Sequence, residues 1–204
     1  MFRTLVSGAA VALVVVAAAP SAAQAANSCR TASTAAGNHV LIASNGAVVF
    51  SSRKLKQDVA CSYRYRRQVK LGKIACCSQV RYTLGGRYLA YAVRLDQAFH
   101  EVDEIGAVDL KTGKRPKYDG APAIDTNGYL DSFCVSAAGT LAWLQYGVDD
   151  NGRKIDLTVR AAARGKKVKD LDSGKIAIGS LAIGAGGGTL YWTNDGTPRS
   201  AALR

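Results

Sequence analysis

The densest group of chemically capable side chains lies between residues 96 and 104. It combines four carboxylates with a histidine, and such a group can supply a general acid and a general base or bind a hard cation. The residues concerned are Asp96, His100, Glu101, Asp103 and Glu104. A solvated turn is the alternative interpretation, because short polar runs are common in loops. A carbohydrate-active or other hydrolase or lyase would use this acidic loop around His100.

Other catalytic and metal-binding patterns are weak in this sequence. The pair His100-Glu101 begins like the zinc-protease motif H-E-x-x-H, but Glu104 stands where the second histidine should be. Residues 125–131 and 149–152 resemble parts of calcium loops with too few ligands. Neither a G-x-S-x-G nucleophile motif nor a Walker phosphate-binding motif occurs. The sequence therefore implies no cofactor and no metal, and it favours non-catalytic binding over catalysis.

Positive charge is the second chemical feature of the chain. Its 204 residues include 27 Lys and Arg against 15 Asp and Glu, which gives a formal net charge of +12 at pH 7. Eight cations in or beside three short polar turns are candidate binding residues: Arg66, Arg67, Lys111, Lys114, Arg115, Arg164, Lys166 and Lys167. We expect them to form a basic face that docks on an anionic cell-envelope polymer or an acidic protein. In the alternative interpretation, they only maintain solubility and protect strand edges.

Nucleic acid is not an expected partner. In residues 63–67, Tyr63 and Tyr65 alternate with Arg64 and Arg66, as in surfaces that stack bases. On a strand, however, this alternation places the tyrosines on one face and the arginines on the other, which is ordinary for a half-buried strand.

The first 25 residues have the features of a secretory signal peptide. Arg3 provides positive charge, residues 5–19 are apolar, and Pro20 precedes a small-residue cleavage site at residues 23–25. An uncleaved anchor is the alternative, but the apolar run is shorter than the about 20 residues that span a bilayer. A lipoprotein anchored at Cys29 is a weaker alternative, because Asn27 interrupts the lipidation motif. We therefore expect a secreted chain with residues 26–204 as one domain and no transmembrane segment after cleavage.

Five cysteines remain after that cleavage, in an oxidising compartment where disulfides persist. They are Cys29, Cys61, Cys76, Cys77 and Cys134. At most two bridges form within one chain, which leaves fifteen arrangements open. The neighbours Cys76 and Cys77 are expected on opposite faces of a strand, because a bridge between them would strain the backbone. A zinc site is disfavoured, since the chain has no pair of CxxC motifs and no paired histidines.

A repeated pattern organises the chain after residue 25. Each of four copies has a turn glycine followed by an alternating apolar run that ends on an aromatic residue. The glycines are Gly46, Gly86, Gly139 and Gly188, and the aromatic residues are Phe50, Tyr91, Trp143 and Trp192. An apolar stretch before each glycine completes a hairpin, in which glycine allows a positive φ. The aromatic residues are most simply explained by packing between repeats.

A second hairpin fits into the rest of each period of about 40 to 50 residues. In the first copy, residues 61–65 and 68–72 flank a basic turn. In the second, residues 105–110 precede a turn at 111–114, and in the third, residues 155–160 and 168–171 flank a turn at 163–166. Four strands per period predict an all-β fold, a β-propeller-like array of about four four-stranded blades.

Residues 83–91 and 105–114 carry a resemblance to a known repeat. They contain Gly85-Gly86-Arg87 and a D-x-x-T-G-K run from Asp109 to Lys114, and they resemble the TolB-type and WD-like propeller repeat, although Gly85 replaces its usual Asp. The chain is also similar to small secreted bacterial repeat proteins that have no assigned role. The resemblance implies a propeller, a fold that serves binding as often as catalysis, and it implies no catalytic residue.

The fourth copy ends after its third strand. Residues 30–35 are expected to supply the missing strand and close the ring, with an open array as the alternative. In a propeller, the turns after the first and third strands share one face, so the eight candidate cations would lie together. Most of the 15 acidic residues, including Asp119 and Asp170, are expected on the opposite face.

Overall fold

The computed structural model describes residues 22–72, 79–97, 100–119, 123–124 and 128–203. This part of the chain contains one helix, α1 (Ala22–Thr34), and is otherwise built from strands, which confirms the all-β class. The strands are β1 (His39–Ala43), β2 (Ala47–Ser52), β3 (Gln57–Ser62), β4 (Arg67–Gly72), β5 (Gln79–Gly85), β6 (Tyr88–Gln97), β7 (His100–Asp109), β8 (Ala123–Ile124), β9 (Gly128–Val135), β10 (Leu141–Val148), β11 (Lys154–Ala162), β12 (Lys169–Gly174), β13 (Ala182–Ile183), β14 (Thr189–Asn194) and β15 (Thr197–Ala202).

The strands form four antiparallel sheets in chain order. Sheet 1 contains β1–β4, sheet 2 contains β5–β8, sheet 3 contains β9–β12 and sheet 4 contains β13–β15. Within each sheet, every strand pairs with its neighbours in sequence, which matches the predicted period of two hairpins. Within the described residues sheet 4 has three strands, as the sequence predicts. The first strands of successive sheets contact one another, β1 with β5, β5 with β9 and β9 with β13.

The predicted turn glycines adopt a positive φ in only two of the four sheets. Gly86 has a φ of 58° and Gly139 a φ of 88°, as expected. Gly46 and Gly188 do not, and in sheet 4 the preceding Gly187 takes this conformation with a φ of 70°. The expectation was therefore wrong for sheets 1 and 4. In sheet 1 the side chain of Ser44 accepts hydrogen bonds from the turn instead.

Buried apolar side chains join each sheet to the next. Tyr91 packs in the cluster between sheets 1 and 2, Trp143 in the cluster between sheets 2 and 3, and Trp192 in the cluster between sheets 3 and 4. Each of these aromatic residues therefore faces the preceding sheet. This confirms their predicted packing role, and large aromatic side chains contribute much of the apolar area that stabilises such interfaces.

Helix α1 covers the remaining face of sheet 1. Phe50, the fourth aromatic residue of the repeat, packs there against Cys29 and Ala32 of the helix. Cys29 and Ser33 are also buried. Because Ala32 and Ser33 follow Cys29 by three and four positions, these three residues share one face of the helix. The expectation that residues 30–35 form a strand is wrong, because this segment buries side chains with helical periodicity. Helix α1 stands against sheet 1 where the other sheets have a preceding sheet.

Two turns of sheet 1 contain no glycine and are instead stabilised by a serine hydroxyl. Ser52 Oγ accepts a hydrogen bond from the N–H of Leu55 (3.3 Å), and Ser62 Oγ accepts one from Tyr65 (3.2 Å). The next residue of each turn has a positive φ, 50° at Lys56 and 51° at Arg66.

The predicted strand at residues 61–65 therefore ends at Ser62. Tyr63 and Tyr65 lie in the β3–β4 turn and pack into different clusters, Tyr63 beside α1 and Tyr65 between sheets 1 and 2. The expectation that they share one face of a strand was wrong, because the serine hydroxyl starts the turn earlier than the apolar pattern indicates.

Candidate binding surface

Three connections between third and fourth strands carry a concentration of positive charge. We call residues 63–67, 110–118 and 163–169 together the basic edge. These three segments contain no Asp or Glu. Their cations are Arg64, Arg66, Arg67, Lys111, Lys114, Arg115, Lys117, Arg164, Lys166, Lys167 and Lys169. All eight candidate residues predicted from the sequence belong to it.

The middle connection is built around the buried carboxylate of Asp109. Its Oδ1 accepts hydrogen bonds from the N–H groups of Lys111 (2.9 Å) and Thr112 (3.4 Å), and its own N–H donates to the carbonyl oxygen of Lys114 (2.9 Å). Arg87, just before β6, donates from Nε to Oδ1 (2.8 Å) and pairs with Oδ2. The hydrogen bond from Arg87 holds the pKa of Asp109 well below its usual value. This arrangement fixes the turn and leaves Lys111 and Lys114 exposed.

The three connections are joined to one another by hydrogen bonds. Arg67 donates from Nη1 to the carbonyl oxygen of Thr112 (3.3 Å), which links sheet 1 to the middle connection. The N–H of Gly165 donates to the carbonyl oxygen of Lys117 (3.1 Å), which links sheet 3 to the same connection. The basic edge is therefore one continuous surface across three sheets.

Two of the predicted binding residues have structural contacts. Arg67 makes the link to Thr112, and Arg115 donates from Nη2 to the carbonyl oxygen of Leu71 (2.6 Å) while its guanidinium lies 5.4 Å from the ring centre of Tyr91. The other six are exposed and form no ion pair with a described residue: Arg66, Lys111, Lys114, Arg164, Lys166 and Lys167. These six are the cations best placed to meet a ligand.

Sequence reasoning missed three cations of the basic edge. Lys117 and Lys169 are exposed at the ends of the second and third connections, and Arg64 lies beside the ring of Tyr65 in the first. Lys117 and Lys169 flank turns already singled out, so the signal was present in their spacing. The apolar pattern predicts a strand position for Arg64, whereas the Ser62 hydroxyl starts the β3–β4 turn before it.

On the opposite edge, at the other ends of the strands, three cations are paired with acids. The pairs are Arg153 Nε with Asp149 Oδ2 (3.3 Å), Lys154 Nζ with Asp131 Oδ1 (3.4 Å) and Lys175 Nζ with Asp195 Oδ1 (3.4 Å). The exception is the β2–β3 turn, where Arg53, Lys54 and Lys56 are exposed and form no ion pair among the described residues. The expected separation of charge is therefore incomplete.

Two acidic residues also depart from the expected face. Asp119 forms a backbone bridge with Lys167, and Asp170 binds Arg160 Nε (2.7 Å) near the start of β12. Both lie beside the basic edge and not opposite it, because the β7–β8 connection returns along sheet 3 and β12 begins at the turn. The expectation for these two residues was wrong.

The predicted acidic loop is the far end of a hairpin. β6 extends to Gln97 and β7 begins at His100, so that Asp96 pairs with Glu101 and Arg94 with Asp103. Adjacent strand positions belong to opposite faces of a sheet, so the positions of His100 and Glu101 do not share a face. The side chains of residues 95–103 lie outside the described part of the structure, and Glu104 is exposed. The expectation of a loop was wrong, since strand pairing continues through these polar residues.

An open cavity of about 730 Å³ lies where the first strands of sheets 1, 2 and 3 meet. Tyr82 donates from its hydroxyl to Asp58 Oδ2 (2.7 Å), and Arg81 donates to the carbonyl oxygen of Asp131 (2.7 Å). Burial and the hydrogen bond to Asp58 raise the pKa of Tyr82 above its usual value. These polar groups connect neighbouring sheets, so the cavity wall belongs to the packing between them.

Cysteine pairing is settled for one bridge. Cys29 of α1 and Cys61 of β3 form a disulfide, which fixes the helix on sheet 1. Cys134 is free and half-buried, and desolvation raises the pKa of its thiol to about 12. Cys76 and Cys77 lie outside the described residues.

Two kinds of feature are absent from the described residues. No helix in that part of the chain is long and apolar enough to cross a membrane. No group of three or more His, Cys, Asp or Glu side chains there is arranged to hold a metal ion.

Comparison with known proteins assigns no family. The chain matches no protein-family model, and it has no significant sequence match among curated proteins.

Proposed function

We propose that this protein is a secreted, non-catalytic binding protein whose basic edge docks on an anionic cell-envelope polymer. The observation that carries the proposal is the continuity of the basic edge across three sheets. Eleven cations, with only Asp119 and Asp170 noted beside them, concentrate positive charge along one side of the molecule. A polyanion with regularly spaced charges can contact several of these cations at once.

The pairing of charges supports binding over a role in solubility alone. Three cations of the opposite edge pair with neighbouring acids, and Arg53, Lys54 and Lys56 there do not. On the basic edge, six predicted cations have no ionic partner in the described chain. Solubility requires only dispersed charge and gives no reason to gather six such cations on three adjoining connections. An external anion would supply the missing partners.

The architecture that presents this edge is proposed to be an open, propeller-like array. The first strands of successive sheets adjoin, as in a propeller of TolB-type or WD-like repeats. Helix α1 packs on the outer face of sheet 1 and would end the array there. An array of this kind places the third-to-fourth-strand connections side by side, which is the arrangement that a long polymer needs.

Secretion is part of the proposal. The Cys29–Cys61 disulfide is consistent with an oxidising compartment. The predicted signal peptide at residues 1–25 lies mostly outside the described residues, so its cleavage remains a prediction. Amino-terminal sequencing of the exported protein should find Ala26 as its first residue.

Co-sedimentation across a salt series tests the docking. Poly(glycerol phosphate)-bearing cell envelopes serve as the target, and soluble poly-L-glutamate serves as the mimic of an acidic protein. We expect the protein to pellet with envelopes at about 20 mM salt and to be released above roughly 300 mM, because screening shortens electrostatic interactions to a few ångströms. Absence of pelleting at low salt would overturn the proposal, and preferential competition by poly-L-glutamate would replace the polymer by an acidic protein.

A further inference from the structure

A second cavity lies at the end of the basic edge, between sheets 3 and 4. Its volume is about 420 Å³, within the range of small-ligand sites. The floor is apolar and includes Ala161, Leu171 and Leu203, which belong to the buried cluster between these sheets or pack on it. Lys166 and Lys169 line the same cavity from the β11–β12 side, together with Lys167. No acidic side chain of the described residues lines this cavity.

The equivalent junction between sheets 1 and 2 shows what is unusual here. Leu110 and Leu203 occupy matching positions, since each follows a third strand and donates its N–H to the residue just before the second strand (3.0 Å to Arg87, 2.8 Å to Gly188). At the first junction, Arg67 of the preceding sheet donates to the carbonyl oxygen of Thr112 across the gap. At the second junction, the lysines make no such contact among the described residues.

Exposed cations that have no ionic partner among the described residues lie beside an apolar cavity, and this combination defines a particular ligand chemistry. An inorganic anion would leave the apolar floor exposed to water, and a neutral aliphatic molecule would gain nothing from the charge of the ammonium groups. A molecule with one anionic head and a short aliphatic chain satisfies both parts of the cavity. Its head would pair with Lys166 and Lys169, and its chain would cover Leu171 and Leu203.

We infer that this lysine-rimmed cavity binds a small anionic amphiphile, a phosphate or carboxylate carried on a short aliphatic chain. The inference rests on the proposed function of the basic edge and specifies one ligand class at its sheet 3 end. In an envelope polymer, such a group is an anionic unit that bears an acyl or alkyl substituent.

Calorimetric titration with three probes tests the inference. Octyl phosphate carries both features, inorganic phosphate carries only the charge, and 1-octanol carries only the chain. We expect octyl phosphate to bind at least about tenfold more tightly than either of the other two, because only it fills both parts of the cavity. Equal binding of octanol, or equal binding of inorganic phosphate, would overturn the inference.

Two variants locate the binding. The double substitution Lys166→Gln and Lys169→Gln should remove the preference for octyl phosphate over octanol, whereas Lys54→Gln with Lys56→Gln at the opposite edge should leave it unchanged. Ala202→Phe adds a bulky side chain to an exposed position that lines the cavity, and it should abolish binding of the alkyl chain while keeping every lysine. Retention of full octyl phosphate affinity in both cavity variants would place the ligand elsewhere.

Failure of the inference is distinguishable from failure of the proposed function. Ala202→Phe should still pellet with envelopes, because it changes none of the cations. Pelleting of the wild-type protein without preference for octyl phosphate overturns the cavity alone. Preference for octyl phosphate without pelleting supports the cavity and overturns docking on the polymer.

Discussion

Asp109 makes the stability of the fold depend on pH. Its pKa lies below the usual value of 3.8, chiefly because Arg87 donates a hydrogen bond to the charged form. A carboxyl group with a lowered pKa stabilises the fold above its unfolded-state pKa, and that contribution is lost as the pH falls through its folded-state pKa. The Arg87–Asp109 pair should therefore contribute fully at neutral pH and weaken progressively below about pH 4.

Substitution of Asp109 by Asn tests this contribution. The amide keeps an acceptor for the turn but loses the charge that binds Arg87, so we expect the free energy of unfolding to fall by about 1.5–3 kcal/mol at pH 7. Its decline between pH 4 and pH 2 should become shallower. Urea denaturation at several pH values measures both effects.

Asp195→Asn provides the matched control for Asp109→Asn. Asp195 pairs with Lys175 at 3.4 Å, and its side chain is 72% exposed, so its removal should change the free energy of unfolding by less than about 0.5 kcal/mol. An equal loss of stability in both variants would show that the Arg87–Asp109 pair has no special role.

Cys134 should be unreactive in the folded protein. Burial raises the pKa of its thiol to about 12, so almost none of the reactive thiolate is present at pH 7.5. We expect iodoacetamide to label Cys134 at least about tenfold more slowly in the native protein than in urea. Peptide mass spectrometry follows this residue separately from Cys76 and Cys77. Equal labelling rates in both states would contradict the described burial.

Sequence reasoning at the residue scale identified side chains more accurately than their partners. Asp109 belonged to a recognisable D-x-x-T-G-K run, and Lys111 and Lys114 were correctly placed at its turn. The hydrogen bond to Arg87 joins residues that are 22 positions apart, and nothing in the local spacing indicates it. The structural contacts of Arg67 and Arg115 were missed for the same reason.

At the scale of the elements, two glycine turns differ in how closely a neighbouring sheet approaches them. Gly139 has a φ of 88°, and a Cβ atom there would lie 2.7 Å from the ring of Tyr88 in sheet 2. Gly165 has a φ of 63°, and a Cβ atom there would have no neighbour within 4 Å. The two glycines separate the cost of backbone strain from the cost of a clash.

Alanine substitution at these two glycines should give different losses. Gly165→Ala should cost about 1 kcal/mol, which is the strain of a left-handed backbone conformation alone. Gly139→Ala should cost about 2–4 kcal/mol, because the added methyl group also displaces Tyr88. Thermal or urea unfolding of the two variants gives the comparison, and equal losses would argue against the close contact between sheets 2 and 3.

Element prediction succeeded where glycine and apolar alternation coincide. It failed for β6 and β7, because their polar far ends at residues 96–104 lack an apolar pattern even though their backbones pair. It also failed for α1, where the small residues of the segment fit a strand or a helix equally. Contact with Phe50 and the bridge to Cys61 decide in favour of the helix, and both partners are distant in sequence.

At the scale of the whole molecule, the two edges differ in how their exposed cations are arranged and not in the sign of the charge. Both edges carry exposed cations, but those of the basic edge extend over three connected turns while Arg53, Lys54 and Lys56 occupy a single turn on the opposite edge. A polymer that only responds to net charge would not distinguish the two edges. A polymer that contacts all three turns of the basic edge would bind that edge and not the other.

The most direct test of docking through the basic edge compares two charge-reversed variants in the envelope pelleting assay at low salt. One carries Lys114→Glu and Lys166→Glu on the basic edge, and the other carries Lys54→Glu and Lys56→Glu on the opposite edge, so that both have the same net charge. We predict a loss of envelope affinity of about tenfold or more in the first variant and less than about twofold in the second. Equal losses in the two variants would contradict docking through the basic edge.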